Sequence, residues 1–222
     1  MADPPRKQID DVPTLRALAH PARVALIEVL AMHGSLTATG AGELIGESPS
    51  NCSFHLRQLA RYGLIEQAES TDGRTRPWQV VPGGIGIGIG TGSAQDAEFT
   101  ATAAAVNDLW TARQAAAEAE WLRRWPAEPA EWQAAAMSTF TYRWLTADEL
   151  AAYQRDAHAL IDRYRGRRGL DSAPPGARPV RVYVSAFPAG PAHPAGPGPG
   201  PGPGPGPDTG PDTDTDTDTG GI

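Results

Sequence analysis

The sequence predicts a mainly α-helical protein with small β elements, and three observations carry the prediction. Apolar residues between Val12 and Gly63 recur at helical spacing and are interrupted by proline and glycine. A pattern typical of two short strands follows at once and ends near Val81. An Ala-rich stretch from Asp96 to Trp125 then returns to helical spacing. These observations indicate a helical domain with a hairpin, followed by a second, mainly helical region.

Three short helices are predicted before residue 46. Proline suits the first turn of a helix and glycine its end, so each boundary has a physical cause. The helices are expected at Val12–Ala19, Ala22–His33 and Thr37–Ile45, with Leu44 and Ile45 facing inward.

The segment from Ser48 to Gly63 is predicted to be a well-capped amphipathic helix. Ser48 is a good cap, Pro49 suits the first helical position, and Gly63 tolerates the backbone that ends a helix. One stripe is apolar and consists of Cys52, Leu56 and Leu59. Together with the short helix and turn before it, this order is that of a helix-turn-helix unit.

The opposite face of this helix is polar and basic, as a helix that reads the major groove of DNA requires. The alternative is an ordinary amphipathic helix with a solvated outer face. Candidate base contacts are Ser50, Asn51, Phe54 and Gln58. Candidate phosphate contacts are Ser53, Arg57, Arg61, Arg74 and Arg76.

A β-hairpin is predicted directly after Gly63. Its strands are Leu64–Ser70 and Thr75–Val81, joined by a turn at Thr71–Arg74 that contains glycine. A hairpin in this place is a wing, and Arg74 and Arg76 near its tip are long cations suited to phosphate contact. Trp78 is expected to pack beneath the hairpin.

Residues 12–82 resemble the ArsR-type winged helix-turn-helix transcriptional regulators. The resemblance rests on Leu15-Arg16-Ala17-Leu18-Ala19-His20-Pro21-Ala22-Arg23, Ser53-Phe54-His55-Leu56-Arg57-Gln58-Leu59, Gly63-Leu64-Ile65 and the Asp72-Gly73-Arg74 turn. It implies a DNA-binding, usually dimeric repressor whose central helix enters the major groove.

The metal site of that family is not expected here. Metal-sensing members carry a Cys-x-Cys pair near the third helix, whereas this chain has Ala41–Ile45 without a thiol. Cys52 and His55 are three residues apart and are the alternative ligand pair, but Cys52 lies on the apolar stripe, where a thiol behaves as a small core residue. Neither a metal nor another cofactor is therefore predicted.

Composition divides the chain into five ranges. We expect an N-terminal arm (1–11), the winged helix-turn-helix domain (12–82), a Gly-rich linker (83–94), a dimerisation or effector region (95–187) and a disordered Pro-Gly and Asp-Thr tail (188–222).

Region 95–187 is predicted to combine helices and strands. Helices are expected at Asp96–Trp125 and at Ala147 to about Arg165, with a capping box at Thr146–Glu149. Strands are expected at Ala136–Leu145 and Pro179–Phe187.

The apolar stripes of these two helices indicate how they pack. The heptad-like spacing in the first helix favours either a dimer seam or packing within the chain (Phe99, Ala103, Val106, Trp110, Ala117, Trp121). The second helix should turn Leu150, Tyr153, Ala157, Leu160, Ile161 and Tyr164 inward. Five tryptophans here suggest an aromatic core, a dimer interface or a pocket for an unknown small-molecule effector.

Bulk properties narrow the function classes. The net charge of −7 is unusual for a protein that binds nucleic acid, but five acidic residues lie in the tail (Asp208, Asp212, Asp214, Asp216, Asp218). A single cysteine favours the cytoplasm, and the lack of a long apolar run argues against a membrane partner.

No catalytic constellation is recognisable in the sequence, so an enzyme is not expected. The sequence predicts a regulator that binds double-stranded DNA as a homodimer. The alternative is a winged-helix module that binds a protein or small ligand and not DNA.

Overall fold

The computed structural model describes residues 6–69, 76–87, 97–167, 169 and 172–193. Helices dominate these ranges, and the strands are short, which confirms the predicted mainly α fold with small β elements. The helices are α1 (Val12–Leu18), α2 (Pro21–His33), α3 (Ala38–Ile45), α4 (Pro49–Arg61), α5 (Ala97–Arg124), α6 (Ala130–Ala135) and α7 (Ala147–Asp162), with a 3₁₀ turn at Trp125–Ala127. The strands are β1 (Lys7–Ile9), β2 (Ser35–Leu36), β3 (Ile65–Gln67), β4 (Trp78–Val80) and β5 (Ile85–Ile87).

Side-chain caps begin most of these helices, because the first backbone N–H groups of a helix need acceptors. The Asp11 carboxylate accepts from the Thr14 N–H at 2.8 Å, and Thr37 Oγ1 accepts from the Gly40 N–H at 3.1 Å. Thr146 and Glu149 form the predicted capping box at α7. The helix boundaries predicted from local signals are therefore confirmed to within about two residues, the usual uncertainty of such boundaries, except that α7 ends at Asp162 rather than near Arg165.

Two small sheets complete the fold. Strands β3 and β4 pair antiparallel, with Ile65 opposite Val80, and β2 adds to the other edge of β4. Strands β1 and β5 pair in parallel, with Ile9 opposite Ile87. Part of the predicted arm and part of the predicted Gly-rich linker are therefore paired strands. The boundaries of the five predicted ranges otherwise stay predictions.

One hydrophobic core joins the N-terminal helices to α5. Leu15, Leu26 and Leu56 are fully buried in it, and so are Phe99 and Val106 from α5. The first half of α5 thus packs within its own chain, against α1 and α2. Of the two interpretations of the heptad-like spacing, intrachain packing holds for this half of the helix.

A partly buried ion-pair cluster links α2 to later segments. Glu28 of α2 accepts hydrogen bonds from Arg113 Nε at 2.8 Å and from Arg181 Nη1 at 2.9 Å. Burial alone would raise the pKa of Glu28, but these two guanidinium groups lower it overall. Arg113 lies on α5, so the cluster and the core attach the same helix to the N-terminal region.

Several predictions for the second region are wrong. Residues 136–145 and 179–187 form no strand, because neither segment finds a neighbouring strand to satisfy its backbone groups. Helix α7 is present, but Tyr153, Leu160, Ile161 and Tyr164 are exposed rather than inward. Helix α6 was not predicted.

One prediction for the first region is also wrong. Leu44 is exposed, at 49%, because α3 is covered on its other face.

The chain divides into two compact units, Met1–Ser185 and Ala186–Ile222. The described part of the second unit, residues 186–193, contains neither helix nor strand. The rest of the predicted disordered tail, 194–222, lies outside the described residues, as does the predicted turn at Thr71–Arg74. Among the described helices, none is both long and apolar enough to span a membrane.

Candidate nucleic-acid interface

Helices α3 and α4 pack closely across a short turn that begins at Gly46. Gly46 has φ +74°, a left-handed conformation that glycine adopts without strain. Gly42 lies opposite the backbone of the turn, and a Cβ atom there would be 2.6 Å from the carbonyl oxygen of Glu47. This close approach sets the angle at which α4 leaves α3.

Gly42→Ala is therefore expected to lower the free energy of unfolding by about 1–3 kcal/mol through overpacking. Gly40→Ala on the same helix is the matched control, because its Cβ would meet Thr37 Oγ1 only at 3.6 Å. The control should be neutral or slightly stabilising, since alanine favours helix over glycine. Urea unfolding of the two variants measures the difference, and equal stabilities would contradict the close approach.

The inner face of α4 anchors it to the core. Cys52, Leu56 and Leu59 are each at most 1% exposed, as the apolar stripe predicts. Burial, and then the charge of Glu47, raise the pKa of the Cys52 thiol. Cys52 therefore behaves as a neutral, small core residue.

Two histidine rings pack against each other where α4 meets the start of α2. The ring centroids of His20 and His55 are 4.5 Å apart. His20 Nδ1 accepts from the Ala22 N–H at 3.2 Å and so caps α2. His55 is 7% exposed, and burial, then His20 and Arg23, lower its pKa, against a smaller opposite effect of Glu47.

This environment predicts that acid destabilises the fold. Because the pKa of His55 is lower in the folded chain than its ordinary value of 6.5, the unfolded chain binds more protons as the pH falls below about 6.5. The stabilising contribution is thus present above that pH and is lost on acidification. Urea unfolding between about pH 5 and pH 7.5 should show the loss. The slope should become shallower in His55→Gln, and an unchanged slope in that variant would contradict the prediction.

The outer face of α4 brings four of the predicted contact residues together. Ser50, Arg57 and Arg61 are exposed, and Phe54 is 52% exposed. Arg57 Nη1 donates to Ser53 Oγ at 2.8 Å, which holds the guanidinium along the helix. Asn51 and Gln58 are half-buried toward one edge, and Asn51 Nδ2 donates to Glu47 Oε2 at 2.7 Å. No described element covers the face formed by Ser50, Phe54, Arg57 and Arg61.

The base of the predicted wing is present as the antiparallel pair of β3 and β4. Gln79 Nε2 on β4 donates to Glu66 Oε1 on β3 at 2.9 Å, and Trp78 packs half-buried against the core as predicted. Arg76 is exposed just before β4. Arg74 lies outside the described residues, so its predicted phosphate contact stays a prediction.

Sequence reasoning missed a cavity beside α4. It has a volume of about 290 Å³ and is lined by Pro13, Arg16, Ala17, Arg23, Gln58 and Tyr62. These residues come from α1, α2 and the end of α4, so only tertiary structure brings them together. The two arginines are visible in the sequence, but no local pattern indicates that they line one cavity.

The alternative metal pair of Cys52 and His55 gains no third ligand. Within the described ranges, no group of three His, Cys, Asp or Glu side chains is placed to hold a metal ion. Cys52 is part of the hydrophobic core, and His55 contacts His20.

Comparison with known proteins identifies the N-terminal region. A family model described as a helix-turn-helix domain matches residues 18–68. Residues 18–68 form a helix-turn-helix domain. The match covers α2 to β3, including α3 and α4, which agrees with the order predicted from the sequence. It does not distinguish the ArsR type from other helix-turn-helix proteins.

Other comparisons add little to this result. No curated protein matches the chain. One similar solved structure is a MarR family protein from Mycobacterium tuberculosis in complex with salicylic acid. It is 18% identical, and the match covers 67% of this chain and 84% of that chain with a TM-score of 0.24. A likeness at that TM-score carries no argument about the fold or ligand of this chain.

Proposed function

We propose that the chain is a sequence-specific, DNA-binding transcriptional regulator in which α4 enters the major groove. The observation that carries the proposal is the exposed outer face of α4 within a helix-turn-helix domain. Exposed arginines beside side chains that can contact bases are what groove reading requires. The proposal keeps the roles predicted for Ser50, Asn51, Phe54 and Gln58 as base contacts and for Ser53, Arg57, Arg61, Arg74 and Arg76 as phosphate contacts.

We also propose that the regulator is an ArsR-type repressor without the metal site. The motifs in residues 12–82 support the type, and the burial of Cys52 supports the absence of metal sensing. The cytoplasmic location and the absence of enzyme activity stay predictions. A selected binding site placed across a promoter should reduce transcription in a purified system; activation would contradict the repressor assignment.

Binding to a random duplex library is the experiment that tests DNA recognition. The full chain should enrich a sequence motif, and its affinity for the enriched duplex should fall steeply with salt. Each phosphate neutralised contributes about 0.9 to the slope of log K against log salt. Protein that ignores every duplex at low ionic strength would overturn the proposal and favour a winged-helix module that binds another protein.

A homodimer is the assembly that the second region supports. Phe140, Trp144, Tyr153 and Tyr164 are all more than half exposed. Soluble monomers rarely expose so much apolar surface, so a second copy is proposed to cover part of it. Two protomers would present two α4 helices to DNA, about 34 Å apart if the half-sites lie one turn apart. An effector pocket in this region stays a prediction.

The double variant Phe140→Ser/Trp144→Ser tests the dimer. The two side chains are 85% and 81% exposed, so their loss should not unfold a protomer. If they lie at the interface, sedimentation equilibrium should show a dissociation constant raised at least about tenfold. Met32→Ser on α2, 42% exposed, is the control and should leave the mass unchanged. A wild-type monomer, or a variant that associates as tightly, would contradict the dimer.

A further inference from the structure

The cavity lined by Pro13, Arg16, Ala17, Arg23, Gln58 and Tyr62 contains two arginines. Its polar lining supplies two guanidinium groups, a phenol hydroxyl and a carboxamide, and no carboxylate is among the lining side chains. Each guanidinium group carries five N–H donors and no acceptor, so the lining side chains offer many more hydrogen-bond donors than acceptors. A group rich in acceptor oxygens complements such a lining.

Arg23 is the residue that points most clearly to a ligand. Its Nε is buried and has no hydrogen-bond partner among the described residues, while its Nη2 donates to the Arg16 carbonyl oxygen at 3.3 Å. A buried donor without an acceptor costs free energy unless something satisfies it. Burial also lowers the pKa of Arg23, with a smaller opposite effect of Tyr62. An anion that reaches such a cation gains more than it would from a fully hydrated one.

Arg16 is the second cation of the cavity and is already paired. Its guanidinium contacts the Glu98 carboxylate at the start of α5, and both side chains are more than half exposed. Exposed ion pairs of this kind are weak, so an incoming anion can replace the carboxylate. Glu98 therefore acts as a competitor for the same guanidinium.

The place of the cavity indicates where the anion comes from. Gln58 and Tyr62 are contributed by the last turns of α4 and by its C-terminal cap, next to the outer face that carries Arg57 and Arg61. When a helix enters the major groove, the sugar-phosphate backbone runs along its flanks, and the preceding helices lie over that backbone. The cavity lies beside the end of α4, where such a flank would be.

We infer that this cavity binds a phosphate group, held by Arg23, Arg16 and Tyr62, and that its occupant is a backbone phosphate of the duplex that α4 enters. The identification of the occupant rests on the proposed DNA binding, whereas the phosphate site itself does not. The contact positions α4 in the groove and carries no sequence information, because every nucleotide offers the same phosphate.

Salt-dependent DNA binding by the full chain tests the inference. Arg23→Gln should make the slope of log K against log salt shallower by about one and should weaken selected and unrelated duplexes by the same factor. Arg163→Gln, an exposed arginine after α7, is the matched control and should leave the slope unchanged. A wild-type slope in Arg23→Gln would overturn the assignment of a DNA phosphate to the cavity.

Two further variants guard against a simple loss of folding. Tyr62→Phe removes only the hydroxyl and should weaken DNA binding severalfold without a change in the unfolding midpoint. Glu98→Gln removes the competitor of Arg16 and should strengthen DNA binding severalfold, a gain that no folding defect explains. If both variants bind DNA as the wild type does, the inference is wrong.

Inorganic phosphate separates this inference from the proposed function. If the wild type binds no duplex, the proposed function fails. The site then stands only if millimolar phosphate, compared with chloride at equal ionic strength, raises the unfolding temperature of the wild type and not of Arg23→Gln. If phosphate protects both proteins equally or neither, the site is overturned. If phosphate protects only the wild type while Arg23→Gln keeps the wild-type DNA slope, the cavity takes a free phosphate and the backbone assignment is wrong.

Discussion

Phe99→Ala is expected to lower the free energy of unfolding by about 3–5 kcal/mol, the range for truncation of a large aromatic side chain in a core. Phe99 lies at the start of α5, is 2% exposed, and packs in the same core as Leu15 and Leu56. Its removal leaves a cavity between α5 and the helix-turn-helix domain, which the surrounding helices can only partly close. Urea unfolding monitored by circular dichroism measures the change.

Leu122→Ala is the matched control, because it lies on the same helix but is 57% exposed. Its effect should stay within about 0.5 kcal/mol. If Phe99→Ala is equally mild, α5 does not pack on the N-terminal domain, and the region after residue 97 has to be regarded as a separate body. A large effect of Phe99→Ala alone supports one core for both regions.

Arg57→Ala/Arg61→Ala is expected to make the salt dependence of DNA binding shallower by about two, since each lost phosphate contact removes about 0.9 from the slope. Both side chains are exposed on α4, and Arg57 is held by Ser53, so neither supports the core. The unfolding midpoint should therefore stay close to that of the wild type. Fluorescence anisotropy with a labelled duplex over a range of salt concentrations measures the slope.

The control for charge alone is Arg123→Ala/Arg124→Ala at the end of α5. These side chains are 66% and 56% exposed and pair with Glu120 rather than with DNA. The control changes the net charge by the same amount but should leave the slope unchanged. Equal losses in the two double variants would mean that the chain responds to overall charge and has no defined contact face on α4.

Local signals explain why the N-terminal half could be predicted closely. The start of α4 depends on Ser48 and Pro49, and its end depends on Gly63, whose φ of +64° few other residues adopt easily. The apolar stripe and the outer face follow from the helical period once the helix is placed. The candidate contact residues on α4 could therefore be predicted from one stretch of adjacent positions.

Long-range pairing explains what the sequence did not reveal. Strand β1 pairs with β5 across almost eighty intervening positions, and the alternation of Ile and Gly in β5 gave no sign of its partner. Residues 136–145 have the alternation of a strand, but a strand forms only where another backbone satisfies it. Likewise, the stripe on α7 predicts a buried face, but Tyr153 and Leu160 are more than half exposed. The cavity that contains Arg16 and Arg23 depends on the same kind of tertiary contact.

The most direct test of the account is DNA cleavage by an iron chelate attached to α4. Cys52 is the only cysteine and is 1% exposed, so Ser50→Cys adds one accessible thiol on the outer face. On a selected duplex, the attached chelate should cut both strands at sugars that border the major groove, at the centre of each half-site. Diffuse cleavage, or cuts confined to the flanks of a site that the variant still binds tightly, would show that α4 does not lie in the groove.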